Sequence, residues 1–210
     1  QLIAAEYEKA GISRQQVDTG AIIITGETSR KENAAAVLQA LSQFAGEFVV
    51  ATAGPDLESV LAAKGAGAVE YSQKTGKTVV HMDIGGGTSN LALIREGEIV
   101  RTGCLNVGGR LVKFAENGEV TYISPVLEGL CDLRIGEKIK DNQIQQITEI
   151  LVQALEMAAD LCPATELLDK LTTKENIGTW QPRKAEVISF SGGVADCIEA
   201  THPPFAFGDL

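Results

Sequence analysis

Residues 79–94 (VVHMDIGGGTSNLALI) constrain the fold of this chain more than any other stretch. An apolar strand over residues 78–82 delivers Asp83 to its end. Gly85, Gly86 and Gly87 then turn the chain, and residues 89–95 return as a second strand. Glu96-Gly97 is a two-residue turn, and residues 98–105 form a third strand. Three strands joined by two tight turns make an antiparallel meander, which needs no crossover helix.

Outside the meander, strands alternate with helices. Residues 1–10 read as a helix closed by Gly11, residues 21–25 as a buried strand, and residues 28–44 as a helix capped by Thr28 or Ser29. A second buried strand covers residues 48–51. Pro55 suits the first turn of a helix over residues 56–63, and a short helix follows within residues 64–72. After Gly108-Gly109 a short helix is expected to hold Leu111, Val112 and Phe114, followed by a strand near residues 119–124. The longest helix spans residues 141–162, capped by Asp141 or Asn142 and ended by Pro163. Its apolar residues Ile144, Ile147, Leu151, Leu155 and Ala158 recur at helical spacing. One or two helical turns cover residues 164–171, residues 172–183 read as a loop, and residues 187–190 form a buried strand. Residues 194–200 start a helix. One meander within alternating strands and helices predicts an α/β fold, a mixed sheet with helices on both faces.

Three glycine turns each follow an expected strand. In residues 83–90 the bare glycine backbone lets a ligand approach, and the N–H groups of residues 85–88 converge on an anion. The Thr88 hydroxyl adds a donor, and Asp83 is placed to hold Mg²⁺ through water. The spacing is neither a dinucleotide fingerprint nor a P-loop, since no G-x-G-x-x-G or G-K-[ST] is present here. The second turn is Ser191-Gly192-Gly193, whose bare backbone suits a ring or phosphate. The third is Asn106-Val107-Gly108-Gly109. Each taken singly also fits an ordinary tight turn or close packing. Together, at one sheet edge, they would make a nucleotide cleft.

The formal net charge is −10, and no basic block exceeds a pair, which argues against a nucleic-acid partner. No apolar run is long enough to span a membrane, so no membrane partner is expected. Cys104, Cys131, Cys162 and Cys197 form no CxxC motif and read as free thiols in a reducing compartment. His81, inside a strand, reads as a core or sheet-face histidine, and His202 as exposed. Glu27, at a strand end, reads either as a first-turn acid or as a base near a bound nucleotide.

Residues 83–94 (DIGGGTSNLALI) resemble the second phosphate motif of the actin-like ATPases, the superfamily of actin, heat-shock chaperones and sugar kinases. Residues 187–194 (VISFSGGV) resemble that superfamily's adenosine motif, and residues 106–109 its following glycine pair. Residues 22–36 (IIITGETSRKENAAA), with DIGGGTSN and LNVGGR, are similar to one branch, the ethanolamine ammonia-lyase reactivating factors of the EutA type.

The resemblance implies an actin-like (ribonuclease H-like) fold. Residues 1–76 would be the remainder of a first lobe. Residues 77–210 would be a second lobe, with an inserted helical region at about 125–183. It implies ATP and Mg²⁺ as cofactors. Asp83, Thr88 and Glu27 would be catalytic, with Asp83 on the metal. Gly85, Gly86, Gly87, Thr88, Asn90, Gly108, Gly109, Ser191, Gly192 and Gly193 would bind the cofactor. The expected function is an ATP-dependent reactivating chaperone, with ethanolamine ammonia-lyase as protein client and homo-oligomerisation compatible with it. The expected location is the cytoplasm, in association with a bacterial microcompartment. A sugar or acid kinase and a non-catalytic scaffold of the same fold are the alternatives. Two departures stand out. The superfamily's first phosphate loop is missing, so the chain reads as a fragment. Asn90 also stands where chaperones carry an aspartate.

Overall fold

The computed structural model describes residues 2–17, 21–24, 49–52, 55–176, 178, 180–198 and 207–209. The chain forms two compact units, Gln1–Gly54 and Pro55–Leu210. In the first, helix α1 (Leu2–Lys9) precedes two strands, β1 (Ala21–Ile24) and β2 (Val49–Thr52), which pair in parallel from Ala21↔Val49 to Ile24↔Thr52. The helix expected over residues 28–44 lies outside the described residues, as do Glu27 and His202.

The second unit is built on a four-stranded mixed sheet whose strands lie in the order Glu98–Leu105, Ser89–Arg95, Val79–Ile84 and Val187–Ser191. Strands β3 (Val79–Ile84), β4 (Ser89–Arg95) and β5 (Glu98–Leu105) are the expected meander. Glu96 and Gly97 close its second turn with φ of 50° and 81°, the left-handed pair that matches strand twist in a two-residue hairpin. Strand β8 (Val187–Ser191) joins the other side of β3 in parallel.

Strand alternation divides the central strands between two cores. Val80, Met82 and Ile84 of β3, with Leu91 and Leu93 of β4, face one side. They join a cluster with Ile147, Leu151, Ala154 and Met157 of helix α4 (Asp141–Ala158) and with Leu168 and Leu171 of α5 (Glu166–Leu171). Val79, Ala92 and Ile94 face the other side, against Ala63 of α2 (Pro55–Gly65) and Ala68 of α3 (Ala68–Thr75). Side chains such as Met82 and Leu91 are sealed from solvent, each worth roughly 1.5–3 kcal/mol of burial. Helices α2 and α3 cover this sheet and belong with it to the compact unit that begins at Pro55.

Three local expectations are corrected. Residues after Gly109 form no helix but strand β6 (Val112–Phe114), paired with β7 (Val120–Ile123). Val112 and Phe114 are buried and Lys113 is exposed, a period of two that a helix would not satisfy. Helix α4 is capped at Lys140, whose backbone N–H donates to Gln143 Oε1 at 3.0 Å, and not by Asp141 or Asn142. It ends at Ala158, before Pro163, and Asp160 just beyond takes a φ of 58°. After β8, the described residues contain a three-residue 3-10 helix, Ala195–Cys197, and residues 199–206 lie outside them.

Candidate functional site

The register brings the chemistry-bearing residues into one row. Asp83 of β3 lies opposite Asn90 of β4 on one side and Ser191 of β8 on the other. One step into the sheet, His81 lies between Ala92 and Ser189. Residues two apart on a strand share a face, so His81, Asp83, Ser189 and Ser191 all project towards α2 and α3.

These four side chains form one hydrogen-bonded chain. Ser191 Oγ donates to Asp83 Oδ1 at 2.6 Å. His81 Nε2 lies 3.0 Å from Ser191 Oγ, and His81 Nδ1 lies 2.9 Å from Ser189 Oγ. His81 has no solvent exposure. Burial pushes its pKa below the ordinary 6.5, and the charge of Asp83 only partly opposes this. Asp83 itself is half-buried, at the mouth of the row.

All three glycine turns meet at this sheet edge. Gly192 has a φ of 88° and lies on the Ile84 backbone so closely that a Cβ would be 2.7 Å from the Ile84 carbonyl carbon. Val194 N–H donates to the Ile84 carbonyl at 3.2 Å. Gly108 rests on the triglycine turn, where a Cβ would be 2.7 Å from the Gly85 carbonyl oxygen. Gly109 N–H donates to that oxygen at 3.1 Å, and Arg110 N–H to the Gly86 carbonyl at 2.6 Å. The buried Ser89 hydroxyl donates to the Val107 carbonyl at 2.7 Å and ties the hairpin to the same segment.

Gly85 and Gly86 are glycines of another kind. None of the three triglycine residues has a positive φ. A Cβ on Gly85 would make only an ordinary contact, 3.5 Å from the Thr88 carbonyl oxygen. A Cβ on Gly86 would meet only the Arg110 side chain, nearest at 3.1 Å. That side chain is 64% exposed and bonded to Asp209 through Nε at 2.6 Å. Among the described residues, backbone packing therefore requires Gly108 and Gly192 but not Gly85 or Gly86.

The donors differ from the sequence-based expectation in one respect. Gly85 N–H closes the turn on the Thr88 carbonyl at 2.9 Å and is not left for an anion. The N–H groups of Gly86, Gly87 and Thr88 and the Thr88 hydroxyl make no hydrogen bond among the described residues. Gly86 is exposed, and Gly87 and Thr88 are half-exposed.

Asn90, expected to line the cofactor, is 5% exposed, and its Nδ2 donates to Glu58 Oε2 of α2 at 2.9 Å. It thus holds a second carboxylate beside the Asp83 row, one that sequence reasoning missed because nothing near residue 58 signals it. Ser189 was missed as well, although the repeated spacing of His81-x-Asp83 and Ser189-x-Ser191 places all four on common faces. Among the described residues no group of three His, Cys, Asp or Glu side chains is placed to hold a metal. No helix among them is long and apolar enough to cross a membrane.

Comparison with known proteins agrees with this architecture. The family model described as ethanolamine utilisation protein EutA matches residues 1–210. The chain is 41% identical to the ethanolamine ammonia-lyase reactivase EutA of Salmonella typhimurium strain LT2, and 39% identical to the reactivase of the same name of Escherichia coli K12. Both matches cover 100% of this chain and 45% of the relative, so the chain spans less than half the length of either. Among solved structures, an exopolyphosphatase-like protein aligns with a TM-score of 0.50 at 16% identity, over 90% of this chain and 49% of that one. The mixed sheet with helices on both faces is the actin-like ATPase fold.

Proposed function

Because this chain belongs to the ethanolamine utilisation protein EutA family, we propose that the whole protein is an ATP-dependent reactivating chaperone. Its client is ethanolamine ammonia-lyase, on which it helps exchange damaged cobalamin for the intact cofactor. The two relatives that share about 40% identity carry the name of reactivases of that lyase. The observation that carries the nucleotide part of this reading is the bare backbone at Gly85 and Gly86. No backbone contact among the described residues demands it, and it borders the N–H groups of Gly86, Gly87 and Thr88, which make no hydrogen bond among those residues.

Those N–H groups and the Thr88 hydroxyl suit the terminal phosphates of ATP, where fixed dipoles offset charge without reorganising. Gly193, beyond the end of β8, has no described residue within 4 Å of a Cβ and would admit the nucleoside, while Gly192 holds that turn against β3. The residues also fit Mg²⁺ in the way this cation prefers. Asp83 offers one carboxylate, and its second oxygen, Oδ2, accepts no hydrogen bond among the described residues. With no group of three ligands among the described residues, phosphate oxygens and water would complete the coordination. Mg²⁺, when bound, supplies neutralisation of the phosphate charge. Asp83 orients the ligand that faces it, and the hairpin excludes side chains from the phosphate path. The reaction class is phosphoryl transfer to water, in which positioning and charge stabilisation do most of the catalysis. Nucleotide state would then bias a conformational equilibrium that loosens the client's grip on its spent cofactor. The site of action would be the cytoplasm, in association with a bacterial microcompartment.

The test is calorimetry of the full-length protein with Mg-ATP, followed by a reactivation assay with cobalamin-inactivated lyase. Saturable binding and ATP-dependent recovery of lyase activity are expected. No binding at millimolar nucleotide would overturn the ATPase reading. Binding without recovery would overturn the reactivase reading.

A further inference from the structure

Counting protons along the part-buried chain at the sheet edge fixes its direction. A serine hydroxyl has one proton to give, and a carboxylate oxygen accepts only. At 2.6 Å from Asp83 Oδ1, Ser191 spends its proton on the carboxylate. Its Oγ must then accept from His81 Nε2, 3.0 Å away, so Nε2 carries a hydrogen. In the neutral ring Nδ1 has a lone pair, and Ser189 Oγ donates to it at 2.9 Å. Every donor therefore points the same way, from Ser189 through His81 and Ser191 to Asp83.

We propose that His81 and Ser191 are positioning residues that lock the Asp83 carboxylate, holding Oδ1 so that Oδ2 is presented at the mouth of the site. This rests on the reading of Asp83 as the residue that faces Mg²⁺. The arrangement matches the way buried second partners orient metal-binding carboxylates in other proteins. It also explains why a fully buried histidine stands among apolar strands: both ring nitrogens have partners, so its burial leaves no polar atom unpaired. The chain has a further consequence. Ser189 and Ser191 belong to β8, which leads into Gly192-Gly193, whereas His81 and Asp83 belong to β3, which leads into the triglycine hairpin. The two turns proposed to hold opposite ends of the nucleotide are thus joined by side chains as well as by the parallel backbone ladder. A shift of β8 against β3 would release the carboxylate.

The experiment has two arms on the full-length protein. In the first, ¹⁵N NMR of the ligand-free protein reads the His81 ring, with His81→Gln identifying its signals. The Nε2–H tautomer is expected, and Ser191→Ala should shift the tautomer populations. A ring carrying its proton on Nδ1, or one unchanged by Ser191→Ala, would overturn the proposal. In the second, Mn²⁺ affinity is measured by electron paramagnetic resonance with a non-hydrolysable ATP analogue. Ser191→Ala and His81→Leu should each weaken Mn²⁺ by about tenfold or more. Ser191→Thr keeps the hydroxyl and His81→Gln keeps a donor, so both should recover part of the loss. Nucleotide affinity without metal should stay unchanged in the two His81 variants. Asp83→Asn separates the possible failures. If it weakens Mn²⁺ while Ser191→Ala does not, the positioning proposal is wrong and the reading of Asp83 stands. If Asp83→Asn has no effect, that reading fails and the proposal falls with it.

Discussion

Gly108 lies against the peptide of Gly86 so closely that a Cβ on Gly108 would sit 2.6 Å from both the carbonyl carbon and the carbonyl oxygen of Gly86. The obstacle is backbone, which has no rotamer to change, and the same segment is pinned by the Gly109 and Arg110 N–H bonds to the hairpin. Gly108→Ala must therefore lift the segment off the hairpin. It should cost about 1–3 kcal/mol of stability, the range for overpacking. Urea unfolding of the chain with and without the substitution measures it, and an unchanged midpoint would contradict this packing.

Gly192 and Gly193 are adjacent and should behave oppositely. At Gly192 a side chain meets both a left-handed φ of 88° and the Ile84 backbone, so Gly192→Ala should destabilise by more than about 2 kcal/mol. At Gly193 no described residue lies within 4 Å of a Cβ, and Gly193→Ala should stay within about 0.5 kcal/mol of the parent. Thermal melts of the two variants side by side give the comparison.

Gly85→Ala separates stability from binding. The added methyl makes only an ordinary contact inside the chain, so the folding free energy should change by less than about 0.5 kcal/mol. If phosphate lies against this backbone, nucleotide affinity in the full-length protein should fall on the order of tenfold, about 1.4 kcal/mol. Titration with a fluorescent nucleotide reads the affinity. Unchanged affinity would remove the hairpin from the binding site.

The pH dependence of stability in the ligand-free chain follows from His81. Its folded pKa is depressed below 6.5, first by burial, with Asp83 partly countering. Once unfolded, the ring takes up a proton near its ordinary pKa of about 6.5. Between the two values the unfolded state holds more protons, so stability falls as pH drops below about 6.5, and this contribution levels off once the folded pKa is passed. Above pH 6.5 the group contributes no slope. Urea midpoints across pH 5 to 8 for the parent and His81→Gln test this, and the variant should lack the decline due to this ring.

The strand–glycine–strand grammar of residues 79–105 determined the meander without help from the rest of the chain. Apolar runs, three glycines and a Glu96-Gly97 turn leave the backbone few other paths. The same local chemistry located the three glycine turns, and the resemblance of their motifs to known ones pointed to the family. Local pattern failed where a neighbour chose the outcome. Residues 112–114 became a strand because β7 offers them a ladder, and Lys140 caps α4 because Gln143 reaches back to it. No reading of one segment predicts that Ser191 reaches Asp83, since the two are joined only by the β3–β8 register across 108 positions of sequence. Tertiary structure likewise decided which glycines are packing necessities and which are openings. A missing side chain looks the same in sequence whether another backbone or empty space lies opposite it.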